Sequence, residues 1–476
     1  MRAQLTIVSL IALTGCSTFQ TVPFTPEIPQ PERPADWQSG ELAPIPQTGD
    51  WITGFNDPIL TDLIAEALEN NPSLAISAAS VELARANAAA QYGASLPSLG
   101  AGLDADYTSA VADVNDNAVR NDSPGFGASL GASWEPDLWG RIAAGVSATE
   151  AEYEATLADF EAAQLSLAGS TAIAWFQLKD AARQVALALE TLDARERTLS
   201  LTERRFRNGL SGALDVRLAR SAVETAKAAL ISREQGMGEA RRSLEVLLGR
   251  YPANELTVSE GFTELPVLTG EGDPTSLLAR RPDIRAAEVR IAGSGFRVEA
   301  ARQALKPSLS LSASLFTSND DLADLFDPSY LAGQIAASLT APLYNGGRLK
   351  ANIEAAEAQA EISSAQYVST VLTAWQEVEN ALAADSFLAR QVESQARALE
   401  EAEQAENLAE RQYQSGLSTI FNLIDAQSRR INAEASLISA QSARAINRVR
   451  FHLALGGELP MGDDMVASLS GDLEDE

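Results

Sequence analysis

The sequence predicts a mainly α-helical chain that also carries a transmembrane β part. Three observations predict it. From Arg348 to Ser415 no Pro or Gly interrupts 68 residues of Ala, Glu, Gln and Arg, the composition of a long helix. Four short segments alternate apolar residues with Ser, Gly or Thr, the period of a strand. The sequence also matches itself at a shift of 207 positions, so these elements come in two copies.

Residues 1–15 read as a signal peptide: Arg2, an apolar core from Leu5 to Leu13, then Thr14-Gly15 before Cys16. The cleavage site resembles the bacterial lipobox, which makes Cys16 the lipidated first residue of the mature chain. Ser17 after it fits delivery to the outer membrane. Cys16 is the single cysteine, so an internal disulfide is excluded. Residues 16–56 form a lipid-anchored tail in which Pro23, Pro26, Pro29, Pro31, Pro34, Pro44 and Pro46 favour an extended tether.

The first copy spans 57–265 and the second 274–460. Gly209-Leu210-Ser211 falls on Gly416-Leu417-Ser418, Arg141 on Arg348, and Leu248-Gly249 on Leu455-Gly456. Each copy opens with a pair of strands. In the first, 96–109 alternates Leu99, Ala101, Leu103, Ala105 and Tyr107 with Gly and Asp. Its partner, 125–135, alternates Phe126, Ala128, Leu130, Ala132 and Trp134 with Gly and Ser. In the second copy the strands are 308–317, "SLSLSASLFT", and 331–341. Strands of about ten residues with this alternation are the signature of a transmembrane β-barrel. A sheet facing lipid must close, because an unpaired edge in hydrocarbon costs several kcal/mol per group. Four strands are too few to close, which predicts an oligomer with the serine face turned to a shared lumen.

A long helix follows each pair, at 141–207 and 348–414, spanning about 100 Å at 1.5 Å per residue. Both carry a seven-residue stripe: Val146, Tyr153, Phe160, Leu167 and Ala174 in one, Ile353, Ala360, Tyr367, Ala374 and Ala381 in the other. Such a stripe predicts side-by-side, coiled-coil-like packing. A second stripe, Val371, Val378, Val392 and Leu399, is interrupted by Asp385. Residues 461–476 are an acidic tail.

Charge and residue usage narrow the function. With 36 basic and 65 acidic residues the formal charge is −29, which argues against a nucleic-acid partner. The one histidine, His452, reads as a packed or surface residue and excludes a histidine-rich metal site. No cofactor is expected, and no paired carboxylates mark a hydrolase.

Four stretches carry a resemblance to the TolC family of outer-membrane efflux and secretion channels, in its lipidated NodT/OprM-like branch. "SWEPDLWGR" (133–141) resembles the branch's strand-to-helix junction. "LLARRPDIRAAEVRIAGSGFRVEAARQALKPSLSLSASL" (277–315) is similar to the helix leading into its third strand. "RNGLSGALDV" and "SGLSTIFNLIDAQ" resemble its two helix-tip turns. The resemblance implies a homotrimer: a 12-stranded barrel in the outer-membrane lipid, four strands per chain, continued by a periplasmic helical barrel. It further implies shorter helices at about 58–94, 213–249, 275–305 and 420–456. The function implied is passive conduction of substrates from an inner-membrane pump, through a periplasmic adaptor (membrane fusion) protein, to the exterior.

By the same resemblance the adaptor meets Gly209, Leu210, Ser211, Gly416, Leu417 and Ser418. The family closes its entrance with acidic residues three apart; here Asp425 matches and Asn422 departs, so a single acidic ring is expected, with Asp215 from the other copy as a further contributor. Arg280-Arg281-Pro282-Asp283 reads as a helix start with a local charge cluster. Two alternatives stay open. A surface-anchored structural lipoprotein has no use for four serine- or glycine-faced strands. An outer-membrane duct of a type I protein secretion system also stays open, with small-molecule efflux favoured by the resemblance to the lipidated branch.

Overall fold

The computed structural model describes residues 24, 37–39, 51–114, 117–258, 261–262, 265–266, 268, 274 and 277–457. Cys16, most of the Pro-rich tail and the acidic tail lie outside the described residues. In chain order the helices and strands are α1 (Pro58–Asn70), α2 (Pro72–Gly93), β1 (Ser98–Val114), β2 (Asn117–Trp134), α3 (Arg141–Arg207) and α4 (Ala213–Leu247). There follow α5 (Leu277–Arg280), α6 (Pro282–Gln303), β3 (Ser308–Asn319), β4 (Ala332–Thr340), α7 (Arg348–Gln414) and α8 (Ile420–Ala454). The two long helices have equal length, 67 residues each, and so do the two that follow them, 35 residues each.

The chain forms two compact units. The first contains Ala84–Tyr153 and Val289–Ser364 and holds an antiparallel sheet in the order β1-β2-β3-β4. Its register places Leu103, Ala128 and Thr317 in one cross-strand row and Ala101, Leu130, Leu315 and Gly333 in another. All belong to the apolar face. Gly100, Gly102, Ser129, Gly131, Ser312 and Ser314 fall on the opposite face, where Ser98 and Ser133 share a hydroxyl hydrogen bond of 2.7 Å.

The first hairpin is longer than the alternation predicts. Pairing continues through Ala110↔Asn121 and Asp113↔Ala118 to Val114↔Asn117, whereas β2 pairs with β3 only as far as Phe126↔Asn319. The backbone ladder continues past Tyr107 although the apolar alternation read from the sequence stops there. At the other end of the hairpin, Trp134 donates to the Ser95 carbonyl (2.9 Å) and Trp139 to that of Pro307 (2.7 Å). Asp137 accepts from the Ala143 amide (2.7 Å) at the first turn of α3.

The second unit contains Glu154–Glu288 and the chain from Ala365 onward, together with α1 and the start of α2. Two of the expected continuous helices are broken here. Asn71 separates α1 from α2; Pro72, the first residue of α2, has no N–H to continue the ladder, and the Asn71 side chain caps the new start at Ser73 and Leu74. Arg281 alone separates α5 from α6, which likewise opens on a proline, Pro282. The stripes face inward: Phe160, Ala174, Val371, Ala374 and Val378 are buried. One apolar cluster gathers Trp51, Phe55, Leu60, Ile64, Trp175 and Phe176; another gathers Trp37, Leu277, Ile284, Val371 and Trp375. Burial of a side chain such as Phe176 or Leu60 contributes about 1.5–3 kcal/mol. Gly169 on α3 is fixed by contact, since any Cβ there would strike the Leu453 side chain of α8.

The interruption at Asp385 has a partner. Its carboxylate receives the buried Arg448 at 2.8 Å and Arg444 at 3.5 Å. Arg281 binds Asp283 (2.7 Å), Glu377 (2.6 Å) and the Ala454 carbonyl (3.1 Å), so the Arg-Arg-Pro-Asp stretch ties a helix start to its neighbours. His452 is packed among Trp51, Phe55 and Phe451, stacked on Trp51 at 5.9 Å. That burial pulls its pKa down to about 4, leaving the imidazole neutral at pH 7.

Candidate functional site: the paired helix ends

The α3 and α7 helices end in the same way. After Arg207 comes Asn208, then Gly209 at φ +72°; its amide donates to the Phe206 carbonyl (2.9 Å) and the Leu210 amide to that of Arg205 (2.8 Å). After Gln414 comes Ser415, then Gly416 at φ +82°, with Gly416 donating to Tyr413 (3.1 Å) and Leu417 to Gln412 (2.8 Å). These are paired Schellman ends, which satisfy the last carbonyls of a helix through one residue in the left-handed region. Glycine takes that conformation without penalty, and the chain reverses at once into α4 or α8. The reversal leaves Leu210 65 % and Leu417 81 % exposed, with Leu214 and Phe421 exposed just beyond them.

Each candidate entrance residue occupies a distinct local role. Asp215 accepts a hydrogen bond from the Gly212 amide at 3.1 Å and holds the first turn of α4. Asn422 donates to the Ser418 hydroxyl at 3.0 Å. Asp425 is exposed and pairs with Arg429 one turn on, at 2.8 Å. The Arg429 guanidinium is raised above its usual pKa by its hydrogen bond to that carboxylate. Asp215 and Asn422 are therefore engaged in their own helix starts, and the Asp425 charge is offset in part by Arg429.

A network between the copies surrounds these ends, and the motif reading missed it. Arg205 donates to the carbonyls of Tyr413 (2.9 Å) and Gln414 (3.0 Å), and its guanidinium lies over the Tyr413 ring at 5.0 Å. The Thr202 hydroxyl meets the Tyr413 hydroxyl at 2.9 Å in a buried contact. Arg195 donates to Gln427 Oε1 (2.6 Å) and Ser428 Oγ (2.9 Å), and Gln427 donates to Thr198 Oγ1 (3.2 Å). Burial pulls the Arg195 pKa below the usual guanidinium value. The signal was present as spacing: 195, 198, 202 and 205 fall on one face of a helix. Ala219, Tyr413, Ile420 and Leu423 pack as a small apolar core beneath.

The family model described as "Outer membrane efflux protein" matches residues 63–250 and 274–457. The chain belongs to the outer membrane efflux protein family. It is 30 % identical over 462 residues to a toluene efflux pump outer membrane protein, TtgF, of Pseudomonas putida, covering 95 % of this chain and 96 % of the relative. It is 33 % identical over 457 residues to a pyoverdine export outer membrane protein, OpmQ, of the same species, covering 94 % and 95 %. Among solved structures, the outer-membrane channel OprN superposes with a TM-score of 0.79 at 28 % identity, covering 90 % of this chain and 98 % of that one. The protein is thus an outer-membrane efflux channel that extends into the periplasm, from a family of channels rather than enzymes. No helix among the described residues is long and apolar enough to cross a membrane.

Proposed function

We propose that three copies of this efflux protein close one 12-stranded barrel and form a passive duct for a tripartite pump. The chain's sheet leaves β1 and β4 as edges with one apolar face, and such edges are not tolerated in lipid. The periplasmic adaptor docks on the two helix-tip turns, at Gly209-Leu210-Ser211 and Gly416-Leu417-Ser418. The observation that carries this reading is the exposed apolar ridge at Leu210, Leu214, Leu417 and Phe421, which in water calls for a cover. Asp425 forms a single acidic ring at the periplasmic entrance, moderated by Arg429, and Cys16 carries the lipid anchor. The two repeats, 57–265 and 274–460, descend from one duplicated unit.

The duct selects little by itself. Relatives of comparable similarity are named for toluene and for pyoverdine, chemically unlike cargoes, which fits selection by the pump. Small-molecule efflux is therefore preferred over protein secretion.

Two measurements test the proposal. Native mass measurement in mild detergent should give three chains; a stable monomer retaining its sheet would overturn the closure argument. A photo-crosslinker placed at Leu417 in cells should capture a periplasmic partner, and the pair Leu210→Asp and Leu417→Asp should abolish efflux while the trimer persists. Full efflux in that double variant would remove the ridge from docking.

A further inference from the structure

The segment between β3 and β4 folds back over the apolar face of the sheet. Leu325, Phe326, Pro328 and Leu331 form one wall of a groove of about 720 Å³ whose floor is Ala101, Leu103, Ala128, Leu130, Leu315 and Thr317. The cross-strand register puts all six floor residues on the apolar face. Two short turns hold the wall: Asp321 accepts from the Ala323 amide (3.0 Å) and Asp327 from that of Ser329 (2.9 Å). Leu325 is 4 % exposed and Thr317 beneath it 8 %. The Thr317 hydroxyl is buried without a hydrogen-bond partner, at the edge of an otherwise apolar floor.

We infer that this groove holds one ester-linked acyl chain of a membrane lipid, clasped between the β3–β4 segment and the sheet. Three features select that occupant. The floor is continuous with the apolar face that an outer-membrane channel presents to lipid. The volume lies in the range of built small-molecule sites. A buried hydroxyl with no partner is costly, and a lipid ester carbonyl entering beside the chain gives it an acceptor. The inference rests on the membrane placement of the sheet and not on adaptor docking.

The test uses the full-length protein alone in phosphatidylcholine vesicles containing a phosphatidylcholine with a diazirine on one acyl chain. After illumination, labelled peptides are quantified against probe fraction. Label on 322–331 should saturate at low probe fraction. Label around Ile335, on the same apolar face outside the groove, should rise in proportion. Ala128→Trp or Ala101→Phe, which fill the floor yet suit a lipid-facing surface, should each remove the saturable label. Thr317→Val should weaken saturation by about three- to tenfold, the loss of one ordinary hydrogen bond. Proportional labelling of 322–331 unaffected by both filling variants would mean annular lipid only and overturn the inference, as would no label there. Unchanged saturation in Thr317→Val would overturn the ester contact.

Discussion

Arg205 caps the end of a helix that finishes 209 residues later: its guanidinium holds the Tyr413 carbonyl at 2.9 Å, and the Gln414 carbonyl at 3.0 Å. A cation at a helix C-terminus meets both orphan carbonyls and the negative end of the helix dipole. The first copy's turn is thereby joined to the second's. Replacing Arg205 by Ala should cost about 1.5–3 kcal/mol locally. Hydrogen exchange of the amides from Gln412 to Ser418 should speed up, while exchange in β1 and β2 stays unchanged. Equal rates in wild type and variant would show that water replaces the guanidinium without loss.

The entrance proposal makes opposite predictions for two neighbours. Asp425→Ala should reduce cation selectivity and raise single-channel conductance in planar bilayers. Arg429→Ala removes the positive partner of Asp425 and should increase cation selectivity. Asn422→Asp should increase it by adding acid one turn earlier, and Asp215→Ala should do less than Asp425→Ala. Currents indifferent to all four changes would place Asp425 away from the conduction path.

For the lipid anchor, labelling with a radioactive fatty acid should mark the wild type and not Cys16→Ala. Label retained in the variant would remove Cys16 as the acceptor. Insertion itself should survive, because a barrel carries its own apolar band.

Asp57 is the buried cap of α1. It receives Trp175 Nε1 at 2.9 Å and Lys179 Nζ at 3.0 Å, together with the Leu60 amide. Burial pushes its pKa up, but the hydrogen bonds from Trp175 and Lys179 outweigh this and leave it below the ordinary value of 3.8. A depressed carboxylate stabilises the fold above its unfolded pKa, and that stability is lost as pH falls through the folded value. Asp57→Asn should therefore lower stability near neutrality by about 3–5 kcal/mol, leaving Lys179 buried without its counter-charge. The deficit against wild type should shrink below pH 4 in a melting series.

His452 acts over a different window. Its pKa falls from 6.5 to about 4 on folding, so the unfolded chain takes up the proton first as pH drops below 6.5. Stability should decline by up to about 3 kcal/mol between pH 6.5 and pH 4 and then level off for this group. His452→Phe keeps a ring against Trp51 and should flatten the melting temperature across that interval. An unchanged slope in the variant would assign the decline to the carboxylates.

The sequence by itself determined the two long helices, the inward stripes and the alternation of the four strands, because each follows from a local period of hydrophobicity. It also determined the glycine reversals at Gly209 and Gly416, since a left-handed residue after a polar helix end has few substitutes. The helix start at Pro282 is legible in the Arg-Arg-Pro-Asp stretch, and the break before Pro72 is legible in principle from the missing amide of proline, although an expected helix over 58–94 runs across it. Only the tertiary structure decided that Asp385 meets Arg448, that Arg205 caps the far copy's helix, and that Asp215 serves its own helix start. It alone placed Leu325 over Thr317, across the apolar face of the sheet. Those relationships join residues whose separation along the chain carries no period, and a charged side chain finds its partner by proximity in the fold rather than by spacing in the sequence.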